Sequence, residues 1–157
     1  MLQLLTGPIR SGKTTRLRAW ARTRIDVRGF LTPQSGGARR TLLDVATGTT
    51  HAFEVSAEER TRHAARELVA VGRFVFYRAA FEWGRAQIQA YLADPHGTFL
   101  LDEYGKLETR GAGFQPEADR LLRAATAPDF PGRVVVVMRE GLACPFGVTT
   151  EVRSFVG

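Results

Sequence analysis

Eight consecutive residues, Gly7-Pro8-Ile9-Arg10-Ser11-Gly12-Lys13-Thr14, set glycine, glycine, lysine and threonine at the spacing G-x-x-x-x-G-K-[ST]. The glycines let the backbone wrap until successive N–H groups converge on one anion, and a helix starting here adds the positive end of its dipole. Lys13 would neutralise the β- and γ-phosphates of a nucleotide, and the Thr14 hydroxyl would ligate Mg²⁺. Gly7, Pro8, Ile9, Arg10, Ser11, Gly12, Lys13, Thr14 and Thr15 are therefore the candidate nucleotide-binding residues. Arg10 either reaches a phosphate from within the loop or is a solvated side chain.

A second cluster follows far along the chain. Phe99-Leu100-Leu101-Asp102-Glu103 is an apolar strand ending in two carboxylates, the acidic element that completes a phosphate-loop site. Strand alternation would send Asp102 toward the metal and leave Glu103 facing the γ-phosphate. Asp102, with Thr14, is thus the candidate metal ligand, and Glu103 is the candidate base that activates water. Lys13 and Glu103 are the first two candidate catalytic residues. Arg139 is the third, because it follows the run Val134 to Met138 and ligands of open α/β sheets sit beyond the carboxyl ends of the strands. It would act in cis as a transition-state cation, the alternative being an ordinary surface arginine.

These residues need a frame. Leu2 to Thr6 reads as a strand, Gly7 to Thr14 as a loop, and Leu17, Trp20 and Ala21 as one face of a helix. Val27 to Thr32, Thr41 to Ala46 and Thr50 to Val55 are short runs separated by turn residues, which predicts a β-rich insert with a hairpin. Ser56 and Glu59 have capping-box spacing before an Arg-rich stretch to Leu68 that is either a short helix or a loop. Phe74 to Tyr77 reads as a buried strand, and Phe81, Ile88 and Leu92 as a helix face ended at Asp94-Pro95. Ala118, Leu121, Leu122 and Ala125 form a further helical stripe, and Val134 to Met138 is the continuous β-branched run of a parallel strand covered on both faces. Glu151 to Val156 reads as an edge strand. Alternating strands and helices predict an α/β fold over one domain, 1–157: a mostly parallel sheet with helices on both faces and a small antiparallel hairpin extension.

Composition narrows the chemistry. The chain has 157 residues, 44% hydrophobic and 24% charged, with a net charge of +6. Of its 22 basic residues only Lys13 and Lys106 are lysines, and both lie inside motifs. The single cysteine, Cys144, allows no internal disulfide and no thiolate metal cluster, which suits a cytoplasmic location. His51, His63 and His96 have no metal-ligand spacing. The absence of asparagine removes the N-K-x-D element that reads guanine. No run approaches the roughly 20 apolar residues of a membrane span. The positive charge suits a polyanion, so a nucleic-acid partner is possible, although no basic face can be located from sequence.

Asp102-Glu103-Tyr104-Gly105-Lys106-Leu107-Glu108 resembles the D-E-x-G-x-x-E signature of the small nucleoside-triphosphatases first described from thermophiles, the family that includes the cancer-related nucleoside-triphosphatase. Gly29-Phe30-Leu31-Thr32 resembles the G-F-x-T segment of the same family, and the order of the three motifs spans Gly7 to Glu108. The resemblance implies a RecA-like phosphate-loop core and a Mg²⁺-dependent hydrolase that takes nucleoside triphosphates of several bases to the diphosphate. Pro8 and Arg10 depart from the small residues frequent in that loop, and Thr109 to Pro116 is longer and more flexible than a tight turn requires. Lys106 and Glu108 either pair with each other or shape the loop between them. Two other readings stay open. Arg10-Ser11-Gly12-Lys13 resembles the R-S-G-K loop of adenosylcobinamide kinases, which points to a small-molecule kinase, and the basic charge points to a nucleotide-dependent RNA-associated binding module.

Overall fold

A computed structural model of the chain describes residues 1–7, 11–34, 39–138 and 141–142. Pro8, Ile9, Arg10, Arg139, Cys144 and the expected strand Glu151 to Val156 lie outside the described residues. The elements run β1 (Leu2–Leu5), α1 (Lys13–Ala21), β2 (Val27–Leu31), β3 (Thr41–Asp44), β4 (Thr50–Ala52), α2 (Ala57–Arg60), β5 (Leu68–Val71), β6 (Phe74–Tyr77), α3 (Arg78–Ala93), β7 (Thr98–Tyr104), α4 (Glu117–Thr126) and β8 (Arg133–Met138). Six strands form one sheet in the order β1-β8-β7-β2-β3-β4. The first three pairings are parallel, and β3 and β4 add an antiparallel margin.

The period of two along each strand decides what covers each face. On β8, Val134 and Val136 face α3 and α4, while Val135 and Val137 face α1. On β7, Phe99 and Leu101 join the first cluster and Leu100 the second. β7 and β8 are covered on both sides, so their near-continuous apolar runs need no polar face. Helix α1 contributes Leu17 and Ala21 to one core, and Ile88, Leu121 and Leu122 anchor the other, all fully buried. Helices thus cover both faces, as the alternation of elements predicts.

The strand at Phe74 to Tyr77 does not join this sheet. It pairs antiparallel with β5 in a separate hairpin, and only Phe76 of its four residues is fully buried. An apolar run of four is compatible with either setting, and β5 itself, Leu-Val-Ala-Val after a string of arginines, carries too weak an alternation to be seen. The Ser56 capping box is present: the Ser56 hydroxyl accepts from the Glu59 amide at 3.2 Å and the Glu59 carboxylate accepts from the Ser56 amide at 3.1 Å.

Gly29 explains how β2 reaches its neighbour. Its φ is +99°, and a Cβ placed there would meet the Leu100 carbonyl oxygen of β7 at 2.2 Å. Replacing Gly29 by alanine therefore adds backbone strain to a collision with main chain that cannot swing aside. The expected loss is about 3 kcal/mol, read from the shift of the denaturant midpoint.

Candidate active site

The loop and the acidic pair meet through α1. Gly12 caps this helix in the left-handed region at φ +79°, and among the described residues no side chain caps its first turn and no acid lies within it. A helix amino end without an acid in its first turn can receive an anion. The Lys13 ammonium folds back across the loop, donating to the Gly7 carbonyl at 2.8 Å and the Ser11 hydroxyl at 3.1 Å.

Although β8 lies between β1 and β7 in the sheet, Thr14 in the first turn of α1 donates from its hydroxyl to Asp102 Oδ2 at 2.8 Å. Parity along β7 is the cause: Asp102 shares the face of Leu100, which is the face α1 covers. The same carboxylate oxygen accepts from the Thr32 amide at 2.9 Å and the Thr32 hydroxyl at 3.2 Å. Asp102 is only 2% exposed. Burial pushes its carboxyl above the usual carboxylate range, against the opposing pull of the Thr32 and Thr14 hydrogen bonds and the Lys13 charge.

That direction has a sign for stability. A carboxyl with a raised folded-state pKa contributes most below its unfolded value, near 4, and the contribution is lost as pH rises through the folded value. Asp102→Asn keeps an oxygen for the three donors and removes the buried charge. The variant is expected to gain melting temperature relative to the parent, and to gain more at pH 7 than at pH 4. Melting curves at the two values check this; an equal shift at both would show that ionisation of Asp102 is not involved.

Glu103 reaches its position differently from simple alternation. The β7–β8 register passes from Asp102–Val137 directly to Tyr104–Met138, so Glu103 is the extra residue of a β-bulge. Its φ is +82°, the only positive value for a non-glycine residue among the described residues. Regular alternation would turn residue 103 toward α3 and α4. The bulge gives that core place to Tyr104, whose hydroxyl donates to Asp119 at 2.7 Å, and moves Glu103 outward with 47% of its side chain exposed. Two adjacent carboxylates thus serve one buried and one open role.

The segment after them is pinned, contrary to the expectation of a flexible stretch. Glu108 is buried, and its carboxylate accepts from the Gly105 amide at 2.9 Å and the Phe114 amide at 3.1 Å. The Gln115 amide donates to the Glu108 carbonyl at 3.0 Å. Gly113, at φ +67°, brings its backbone so close that a Cβ would strike the Glu108 carboxylate. Glu108 therefore shapes the loop, while Lys106 stays exposed.

A cleft of about 120 Å³ opens beside Glu103, with Thr32, Arg40, Phe74, Phe76 and Phe114 in its walls. A larger hollow of about 720 Å³ lies around Met1, Asp26, Gly97 and Arg133, at the amino ends of the strands and away from this chemistry. Two residues of the site, Thr32 and Arg40, were not marked as functional by sequence. Thr32 had a signal, as the last letter of G-F-x-T; Arg40 had none among 20 arginines.

A mostly parallel sheet flanked by helices brings the strand–loop–helix unit and the acidic strand end together. Among solved structures, the chain is similar to THEP1 from the hyperthermophile Aquifex aeolicus, with a TM-score of 0.62 and 19% identity over 88% of this chain and 77% of that one. It is also similar to the solution structure of a human cancer-related nucleoside triphosphatase, with a TM-score of 0.59 and 21% identity over 91% and 78% of the two chains. No protein-family model matches the chain, and no curated protein matches it.

Proposed function

We propose that this chain is a Mg²⁺-dependent nucleoside-triphosphatase, one domain over 1–157, that hydrolyses ATP, GTP and other triphosphates to the diphosphate and phosphate. The observation that carries the reading is the Thr14–Asp102 hydrogen bond with Glu103 bulged out beside it. The likeness to a solved nucleoside triphosphatase supports it.

The donor set suits the metal. Thr14 and Asp102 offer hard oxygen atoms, and a hydroxyl that donates to a carboxylate keeps its lone pairs for a cation. Among the described residues no group of three or more His, Cys, Asp or Glu side chains is arranged to hold a metal ion by itself. The cation's remaining ligands would come from water and phosphate. Held there by Thr14 and Asp102, Mg²⁺ would offset the negative charge of the phosphate oxygens.

The chain's own groups do the rest. The loop amides and Lys13 hold the phosphates, with Gly7 to Thr15 as the binding segment. The Glu103 carboxylate takes a proton from water as its oxygen bonds to the γ-phosphorus, and the bond to the β–γ bridging oxygen breaks to release the diphosphate. Arg139 remains the proposed cis cation. Phosphate release from ATP, GTP, CTP and UTP with Mg²⁺ and no acceptor tests the reading. Turnover of several nucleotides is the expected result. Tight nucleotide binding with no release would replace it by a kinase or a partner-activated module. No helix among the described residues is long and apolar enough to cross a membrane.

A further inference from the structure

Arg40 comes from the insert and reaches the mouth of the site. Its guanidinium Nη1 lies 3.5 Å from Glu103 Oε1. The guanidinium also stands over the rings of Phe74, at 4.8 Å, and Phe76, at 5.7 Å. Behind it, Glu54 Oε2 lies 3.9 Å from Nε and accepts the Arg40 amide at 3.2 Å, while the Arg40 carbonyl accepts the Glu54 amide at 3.0 Å.

A solvent-exposed ion pair is weak because two long side chains must both be ordered to make it. Here one partner is already ordered: two aromatic faces, a carboxylate and a backbone bridge fix the arginine, whose side chain is 26% exposed. Glu103 is the extra residue of the bulge, with 47% of its side chain exposed. The geometry points to Arg40 as the positioning residue for Glu103, with the hairpin margin and the β5–β6 hairpin as the scaffold that delivers it. Arg40 acts through the carboxylate, so it sets the rate of the chemical step and not the binding of nucleotide. This inference rests on the proposed hydrolase reading.

The test is a cycle of four proteins, parent, Arg40→Met, Glu103→Gln and the double variant, assayed for kcat and KM with Mg²⁺ and ATP. Methionine keeps most of the apolar stem and drops the charge. Arg40→Met is expected to lower kcat by about fivefold with KM within about twofold. Arg40→Lys should recover most of the loss, and Arg40→Met should add nothing once Glu103 is glutamine. Arg39→Gln, removing a neighbouring charge paired with Glu59, should leave the rate unchanged. Unchanged turnover in Arg40→Met, or the same loss on both backgrounds, overturns the inference alone. Full turnover in Glu103→Gln overturns the hydrolase reading and this inference with it. If Arg40→Met is too unstable to assay, Arg40→Gln must show the same split.

Discussion

Replacing Glu103 by glutamine is expected to lower phosphate release by about 1,000-fold while nucleotide affinity stays within about twofold of the parent. The side chain sits at the open end of β7, outside the hydrogen-bonded set of Thr14, Thr32 and Asp102, so losing its charge leaves those groups, proposed to hold the metal, in place. Glutamine keeps the size and cannot take a proton from water. A second substitution at this position separates function from fold. A non-glycine residue at φ +82° carries a strain of about 1 kcal/mol relative to glycine. The ion pair with Arg40, exposed as it is, returns about 0.5 kcal/mol. Glu103→Gly is therefore expected to match glutamine in lost turnover and yet to raise the melting temperature by about 2 °C. Phosphate release and a melting curve on the same preparation check both halves. A variant that melts lower and still turns over would mean that the bulge serves the fold alone.

Lys13→Ala is expected to behave in the opposite way, weakening nucleotide binding by about 100-fold and lowering turnover by at least as much. Its ammonium donates to the Gly7 carbonyl and the Ser11 hydroxyl, a position from which a compact cation would meet the phosphate oxygens of the proposed nucleotide. Charge-assisted hydrogen bonds of this kind contribute about 1.5 to 3 kcal/mol each, and here they serve ground state and transition state alike. Arginine should not restore the parent, because its planar fork is larger than the point charge it replaces and matches different acceptors. Calorimetric titration with a nucleotide, beside phosphate release, checks the pair. Unchanged affinity in Lys13→Ala would remove the loop from binding, whatever Glu103 does.

Much of this arrangement was legible before any coordinates. The order of strands and helices, the capping box at Ser56 and the stripe Ala118-Leu121-Leu122-Ala125 are local patterns, and local patterns are written in consecutive residues. The β-branched run Val134 to Met138 was legible for the same reason: a strand with both faces covered can be apolar at every position. The hairpin Leu68 to Tyr77 was half missed. Whether four apolar residues join the main sheet or fold beside it depends on partners far away in the chain.

By itself the sequence determined the types of group available: a glycine loop, one lysine within it, a threonine, and two adjacent carboxylates at the end of an apolar strand. Only the tertiary structure decided which of those carboxylates is buried. Asp102 lies on the face that α1 covers and is held by Thr14 and Thr32 from two other elements, while a bulge against β8 turns Glu103 out toward Arg40. A residue's type and the parity of its strand can be read from neighbours in sequence. Register shifts and the approach of a distant arginine cannot, because they are set by packing between segments separated by tens of residues.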